Sequence, residues 1–133
     1  MITTPNLLNL SSRVRYFGFG FWTLFDPLHV KDSRKYSTGG HISPIHWFYL
    51  VHALLDADFV YETTTIDKKQ KSSTLIYMIM ALPIWLYSWY ALSREISRYG
   101  TVDDKNQWMV ERMYSTDLLL GRTIIVSAKK PSG

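Results

Sequence analysis

The chain has 133 residues, of which 15 are lysine or arginine and 11 are acidic, and its Tyr, Trp and Phe content is high at 15%. A net charge of +4, dispersed along the chain, is too small to mark a nucleic-acid-binding protein, so no nucleic acid is expected among its partners. The absence of cysteine excludes a disulfide framework, a zinc knuckle, an iron–sulfur site and a thiol nucleophile.

The amino terminus, MITTPNLLNLSSRVRYFGFGFW, lacks the continuous apolar core and small-residue cleavage site of a secretory signal. With mitochondrial presequences it shares its poverty in acids, the pair Arg13 and Arg15 and several hydroxyl residues, though its arginine content is thin. From Val14 to Phe25 the aromatics alternate with Gly18 and Gly20, a pattern that reads either as an interfacial loop-helix or as a soluble core strand. The loop KDSRKYSTGGH closes this first region, residues 1–42, an aromatic interfacial segment with its loop.

Ser43 and Pro44 then supply an N-cap followed by proline at a first helical position, and Ile45 to Tyr61 continues without Gly or Pro. The expected helix carries Ile45, Phe48, Val51, Leu55 and Phe59 on its apolar side and Tyr49, His52 and Asp56 on the other. Residues 43–71 are thus an amphipathic helix and a basic approach, in which Lys68, Lys69 and Lys71 are the candidate contacts to anionic lipid. His46, His52, Asp56 and Asp58 are the cluster most like a set of metal ligands, but His46 and His52 fall on different helix faces. A surface pair of His52 with Asp56 at i, i+4 is the simpler expectation, and no metal or cofactor is expected.

No charge interrupts SSTLIYMIMALPIWLYSWYALS, Ser72 to Ser93. At the helical rise this run is roughly 33 Å long, against a hydrocarbon core of about 30 Å, so a transmembrane helix is expected over about residues 72–96. Tyr77, Trp85, Trp89 and Tyr90 are the candidate membrane-interface residues, and Pro83 is expected to kink the helix. Without a GxxxG pair, homodimerisation is not indicated.

Residues 97–133 read as a soluble carboxyl-terminal tail. Gly100 can stop the helix, a short second helix can follow, and LLLGRTIIVSAKK is strand-like or extended with a break at Gly121. Its apolar residues need a partner. The pattern as a whole predicts an all-α membrane protein with a single transmembrane helix, amphipathic interfacial helices on its flanks and extended tails. Phosphate-cradling glycine loops, nucleophile elbows and HExxH helices are all missing, so the expectation is a non-catalytic accessory or structural subunit rather than an enzyme.

The stretch Ser43 to Tyr99, with Ser43-Pro44, an aromatic helix, Ile66-Asp67-Lys68-Lys69, Ser72 and the apolar run, resembles mitochondrial ATP synthase subunit f. Ile66, Lys69, Ser72, Ile76, Met78 and Ala81 are the positions that correspond. The resemblance implies a structural role beside the membrane-embedded stator, in the mitochondrial inner membrane, with one crossing and the amino-terminal side facing the matrix. Its implied partners are other subunits of the complex and membrane lipid such as cardiolipin. WMVERM after the apolar helix is more loosely similar to small single-pass subunits of cytochrome c oxidase or the NADH dehydrogenase. An adaptor that adds a strand to a soluble partner through LLLGRTIIV is a further alternative.

Overall fold

The computed structural model describes residues 1–25, 27 and 44–131. In chain order the elements are β1 (Ile2–Pro5), α1 (Leu10–Phe19), α2 (Trp47–Asp56), β2 (Val60–Ile66), α3 (Lys71–Arg94) with a π-helical continuation (Glu95–Tyr99), α4 (Gln107–Arg112), α5 (Thr116–Leu120) and β3 (Thr123–Lys129).

The three strands form one antiparallel sheet in the order β1-β3-β2. β3 is central because its β-branched run alternates: Ile124 and Val126 are fully buried, while Thr123 and Ile125 are half-buried on the opposite face. On one side Ile2 pairs with Val126 and Pro5 with Thr123; on the other Ile66 pairs with Ile124 and Val60 with Lys129, across a bulge at Tyr61/Thr63. Pro5 is tolerated because β1 is an edge strand, where a missing N–H breaks little.

α2 covers one face of the sheet. Trp47 and Val51 are buried with Leu8, Met109, Leu118, Ile124 and Val126, and Phe48, Leu50 and Leu54 pack at the margin. The Trp47 indole donates to Thr64 Oγ1 at 2.9 Å and the Tyr61 hydroxyl donates to the same oxygen at 3.0 Å, which satisfies the polar atoms that this core encloses.

The amino-terminal turn is stitched to the far end of the chain by two buried asparagines. Asn6 Nδ2 donates to the carbonyls of Leu118 (2.6 Å) and Gly121 (2.8 Å), and Asn9 Nδ2 to those of Leu120 (3.1 Å) and Gly121 (2.8 Å). Asn9 also caps α1, its Oδ1 accepting from Ser12 N, and takes a short hydrogen bond from the Ser73 hydroxyl, which in turn accepts from Ser11 N at 3.1 Å. Gly121 sits where a Cβ would lie within 2.8 Å of the Asp117 carbonyl and against the Ile66 side chain, so the close approach of α5 to β2 requires glycine.

The fold is therefore mixed α/β, and the all-α expectation is overturned by the three-stranded sheet. Two segments account for the difference. The carboxyl-terminal run expected to be strand-like is no extended tail: Leu118–Leu120 end α5, and Thr123–Lys129 forms β3, with β1 and β2 on both of its edges. The helix expected from Ile45 to Tyr61 ends at Asp56, Asp58 takes a left-handed turn (φ 60), and the threonine-rich VYETTTI that follows pairs as β2. The buried face of α2 is also rotated from the expected one: Ile45 and Leu55 are exposed, while Trp47 and Val51 fill the core. His46, not Ser43, caps this helix, its Nδ1 accepting from Phe48 N at 3.2 Å; Ser43 and the Gly39-Gly40 loop lie outside the described residues.

Of the two readings for the Val14–Phe25 stretch, the structure takes the helix. α1 runs to Phe19, Gly20 stops it at φ 77, and the following turn folds back, with Thr23 N donating to Ser12 Oγ (2.9 Å) and the Trp22 ring stacked on Tyr16 at 4.1 Å.

Candidate membrane-docking surface

The helix from Lys71 to Tyr99 has 29 residues and, by length and composition, can cross a membrane. At 1.5 Å per residue it is roughly 43 Å long. Neither end is free. At its start Gln70 N donates to Leu120 O (2.8 Å) and Lys69 bridges Gly121, so the helix leaves directly from the α5–β3 junction. At its far end Gly100, in a left-handed conformation, turns the chain, and the Asn106 side chain donates to Thr101 O at 3.0 Å, folding residues 101–106 into a closed turn. Val102 is buried, and Met109, seven residues on, is in the core with Val51 and Leu118. The strand before the helix, β2, and the next strand after it, β3, are paired in one sheet.

The helix consequently has an inner and an outer side. Ser73 is buried against Asn9 and α1, and Tyr77, Ala81, Ile84 and Ser88 continue that line half-buried. Leu75, Met78, Ile79, Leu82, Trp85, Leu86 and Trp89, spaced three and four apart, are all exposed. A surface helix of a water-soluble domain shows the reverse arrangement, polar outside and apolar inside. Beside it, α1 adds Tyr16, Phe19 and the almost wholly exposed Phe17 (94%).

Charges mark both ends of the apolar stripe. Lys68, Lys69 and Lys71 are exposed on the β2–α3 connection and form no ion pair among the described residues. At the other end Arg94 donates to Tyr99 OH (2.7 Å) and Tyr90 OH (3.3 Å) and lies over both rings at 5.4 and 5.6 Å, while Arg98 stacks on Tyr99 at 5.7 Å. The π-helical turn brings Arg94 and Tyr99 together: its last carbonyl contacts skip five residues, with Gly100 N reaching Glu95 O. Thr101 donates a short hydrogen bond to the Glu95 carboxylate and locks the turn.

Trp85, Trp89 and Tyr90 are exposed on α3, whereas Tyr77 is half-buried on its inner side. The helix continues through Pro83, which faces Arg13 and Tyr114 across a cleft. His52 Nδ1 and Asp56 Oδ2 meet at 3.1 Å on an exposed face of α2, as a surface pair. No group of three or more His, Asp or Glu side chains is placed to hold a metal among the described residues. Reading the sequence misses Asn9 and Ser73, which set the angle between α1 and α3; the signal for Asn9 is its place immediately before the helical LSSR.

Two groups near α1 have perturbed acidities. Burial lowers the Arg13 pKa, against a smaller opposing effect of the Tyr114 phenol. The His46 imidazole is lowered by burial first and by the positive charge of Arg13 second.

No protein-family model matches this chain, and neither a curated protein nor a solved structure matches it.

Proposed function

We propose that this protein is a non-catalytic accessory subunit of a membrane complex, held at the bilayer by the outer face of α3. The observation that carries the reading is the stripe Leu75, Met78, Ile79, Leu82, Trp85, Leu86 and Trp89, which its own fold leaves uncovered. So long an exposed apolar band calls for lipid or protein against it.

The pairing of β2 with β3 favours a helix lying in the plane of the membrane interface over one that crosses it. A crossing would put the two strands on opposite faces of the bilayer, and separating them would expose Ile124, Val126 and Met109. Lying flat, α3 presents its apolar side to the acyl boundary, and the sheet domain takes the place of the polar face that an interfacial helix otherwise carries. Lys68, Lys69 and Lys71 at one end, and Arg94 and Arg98 at the other, then stand at head-group level, where cations are attracted by anionic lipid such as cardiolipin. The resemblance of Ser43 to Tyr99 to subunit f supports the mitochondrial ATP synthase as the complex, with a structural role, but the single crossing that the resemblance implies is not carried over to this chain.

Two experiments test it. Native membranes are extracted in mild detergent, and the large species carrying this chain is identified by native gel and mass spectrometry. Co-migration with the ATP synthase supports the assignment, co-migration with an electron-transfer complex replaces it, and a lone small species sinks the subunit reading. Because the chain has no cysteine, Lys68→Cys and Lys105→Cys can each be probed singly in sealed vesicles with a membrane-impermeant maleimide. Labelling of both from one side supports the in-plane helix; labelling from opposite sides establishes a crossing.

A further inference from the structure

We propose that the cleft between α1, α3 and the α4–α5 connection binds an anionic head group carried on an acyl chain, with the head at Arg13 and Tyr114 and the chain along α3. The cleft has a volume of about 330 Å³, within the range of small-molecule sites. Met80, Pro83 and Ile84 give it apolar walls, Tyr87, Ser88 and Tyr114 are its neutral polar residues, and Arg13 is the one charged residue among the described residues that lines it.

Arg13 has no carboxylate partner and no side-chain hydrogen bond among the described residues. The groups acting on it are its own burial and the Tyr114 phenol, and its charge in turn reaches His46, another potential cation. A half-buried guanidinium with no counter-ion, in an apolar surrounding, is a costly arrangement that an incoming anion relieves. A small hydrated anion would satisfy the charge but leave the walls uncovered. An anion with an apolar tail satisfies both, and the cleft runs out onto Met80 and Tyr87 of α3, both exposed, on which a tail can lie.

The proposal rests on the membrane reading only for the supply of its ligand. The full chain, purified in non-ionic detergent, is titrated with dodecanoate, dodecyl phosphate, methyl dodecanoate and inorganic phosphate, and read by native mass spectrometry. Dodecanoate and dodecyl phosphate are expected to bind saturably at one per chain, the methyl ester and inorganic phosphate not. Arg13→Gln should weaken dodecanoate at least roughly tenfold, the value of one charge-assisted hydrogen bond. Ser88→Leu, which fills the cleft and keeps Arg13, should weaken it too and decides the matter if Arg13→Gln fails to fold by circular dichroism. The mass of any amphiphile retained from native membranes distinguishes a free fatty acid from a phospholipid, and either supports the site.

Equal binding of the methyl ester, binding of inorganic phosphate as tight as that of dodecanoate, or indifference to both substitutions would overturn it. Liposome flotation of the parent chain separates this proposal from the anchoring one. A chain that binds dodecanoate but never floats retires the anchor and leaves the cleft standing.

Discussion

Replacing Ile79 and Leu82 by serine tests whether the outer face of α3 meets lipid. Both side chains point away from the domain, at 71% and 65% exposure, so neither contributes much to the packed core. Complete burial of such a side chain is worth about 1.5–3 kcal/mol, and some two thirds of that is still available to a bilayer at this exposure. The pair should therefore weaken membrane partitioning by about 2–4 kcal/mol, or roughly 30-fold to several-hundred-fold. Stability of the fold should shift by no more than about 0.5 kcal/mol per site, as for ordinary surface positions. Liposome flotation reads the first quantity and urea unfolding of the detergent-released protein the second. Unchanged flotation with unchanged stability would refute lipid contact. A large loss of stability would refute the orientation of the helix itself.

Asn9→Ala removes a helix cap, two donations to the carbonyls of Leu120 and Gly121 at the end of α5, and the partner of Ser73, and should cost about 2–4 kcal/mol in denaturant unfolding. Gly121→Ala forces a Cβ against Ile66 and the Asp117 carbonyl, so a loss of about 1–3 kcal/mol is expected by the same measurement. Reversing Lys68, Lys69 and Lys71 to glutamate should weaken binding to anionic vesicles by at least about 1 kcal/mol per residue and leave neutral vesicles unaffected, the effect vanishing at high salt. The lowered pKa of His46 means that the unfolded chain binds more protons near its ordinary value of 6.5. Stability should accordingly be complete above that pH and fall as the pH drops through it, while His46→Asn, which keeps a capping acceptor, should flatten the dependence in thermal melts.

The long apolar helix was legible in the sequence because no charge breaks it from Ser72 to Ser93; the structure extends it by one turn to Tyr99 through a π-helical widening that hydropathy does not encode. The strand character of TIIVSAK was legible as well, in its β-branched alternation. Its neighbours were not, since β1 pairs with it across almost the whole chain and no local pattern specifies so distant a partner. β2 was readable in principle: Val60 and the run Thr63 to Ile66 favour an extended backbone, but the lack of Gly or Pro before Tyr61 made a continuous helix the simpler reading. That one misreading removed the sheet, and with it the constraint that both ends of the apolar helix return to the same body. The candidate docking residues divided likewise. Trp85, Trp89 and Tyr90, singled out from aromatic placement alone, are exposed on α3, whereas the inward turn of Tyr77 depends on α1 packing beside α3, which hydropathy does not register. The strand-adding adaptor also loses its footing, because Leu118–Leu120 are helical and Thr123–Val126 is paired on both edges, and truncation after Gly100 deletes the middle of the sheet.

The position of β3 in the chain has a consequence for synthesis. Both edge strands leave the ribosome before the strand that joins them, and the whole apolar helix is made in between. From Ile66 to Lys129 is roughly 60 residues, or about 3–12 s of translation. Throughout that interval Trp47 and Val51 have no sheet to cover them, and α3 is already emerging with its outer stripe bare. A nascent chain of this kind is in the hands of whatever binds its helix first, so a membrane or targeting factor that engages α3 early would act before the fold exists to fix which side of the helix faces out.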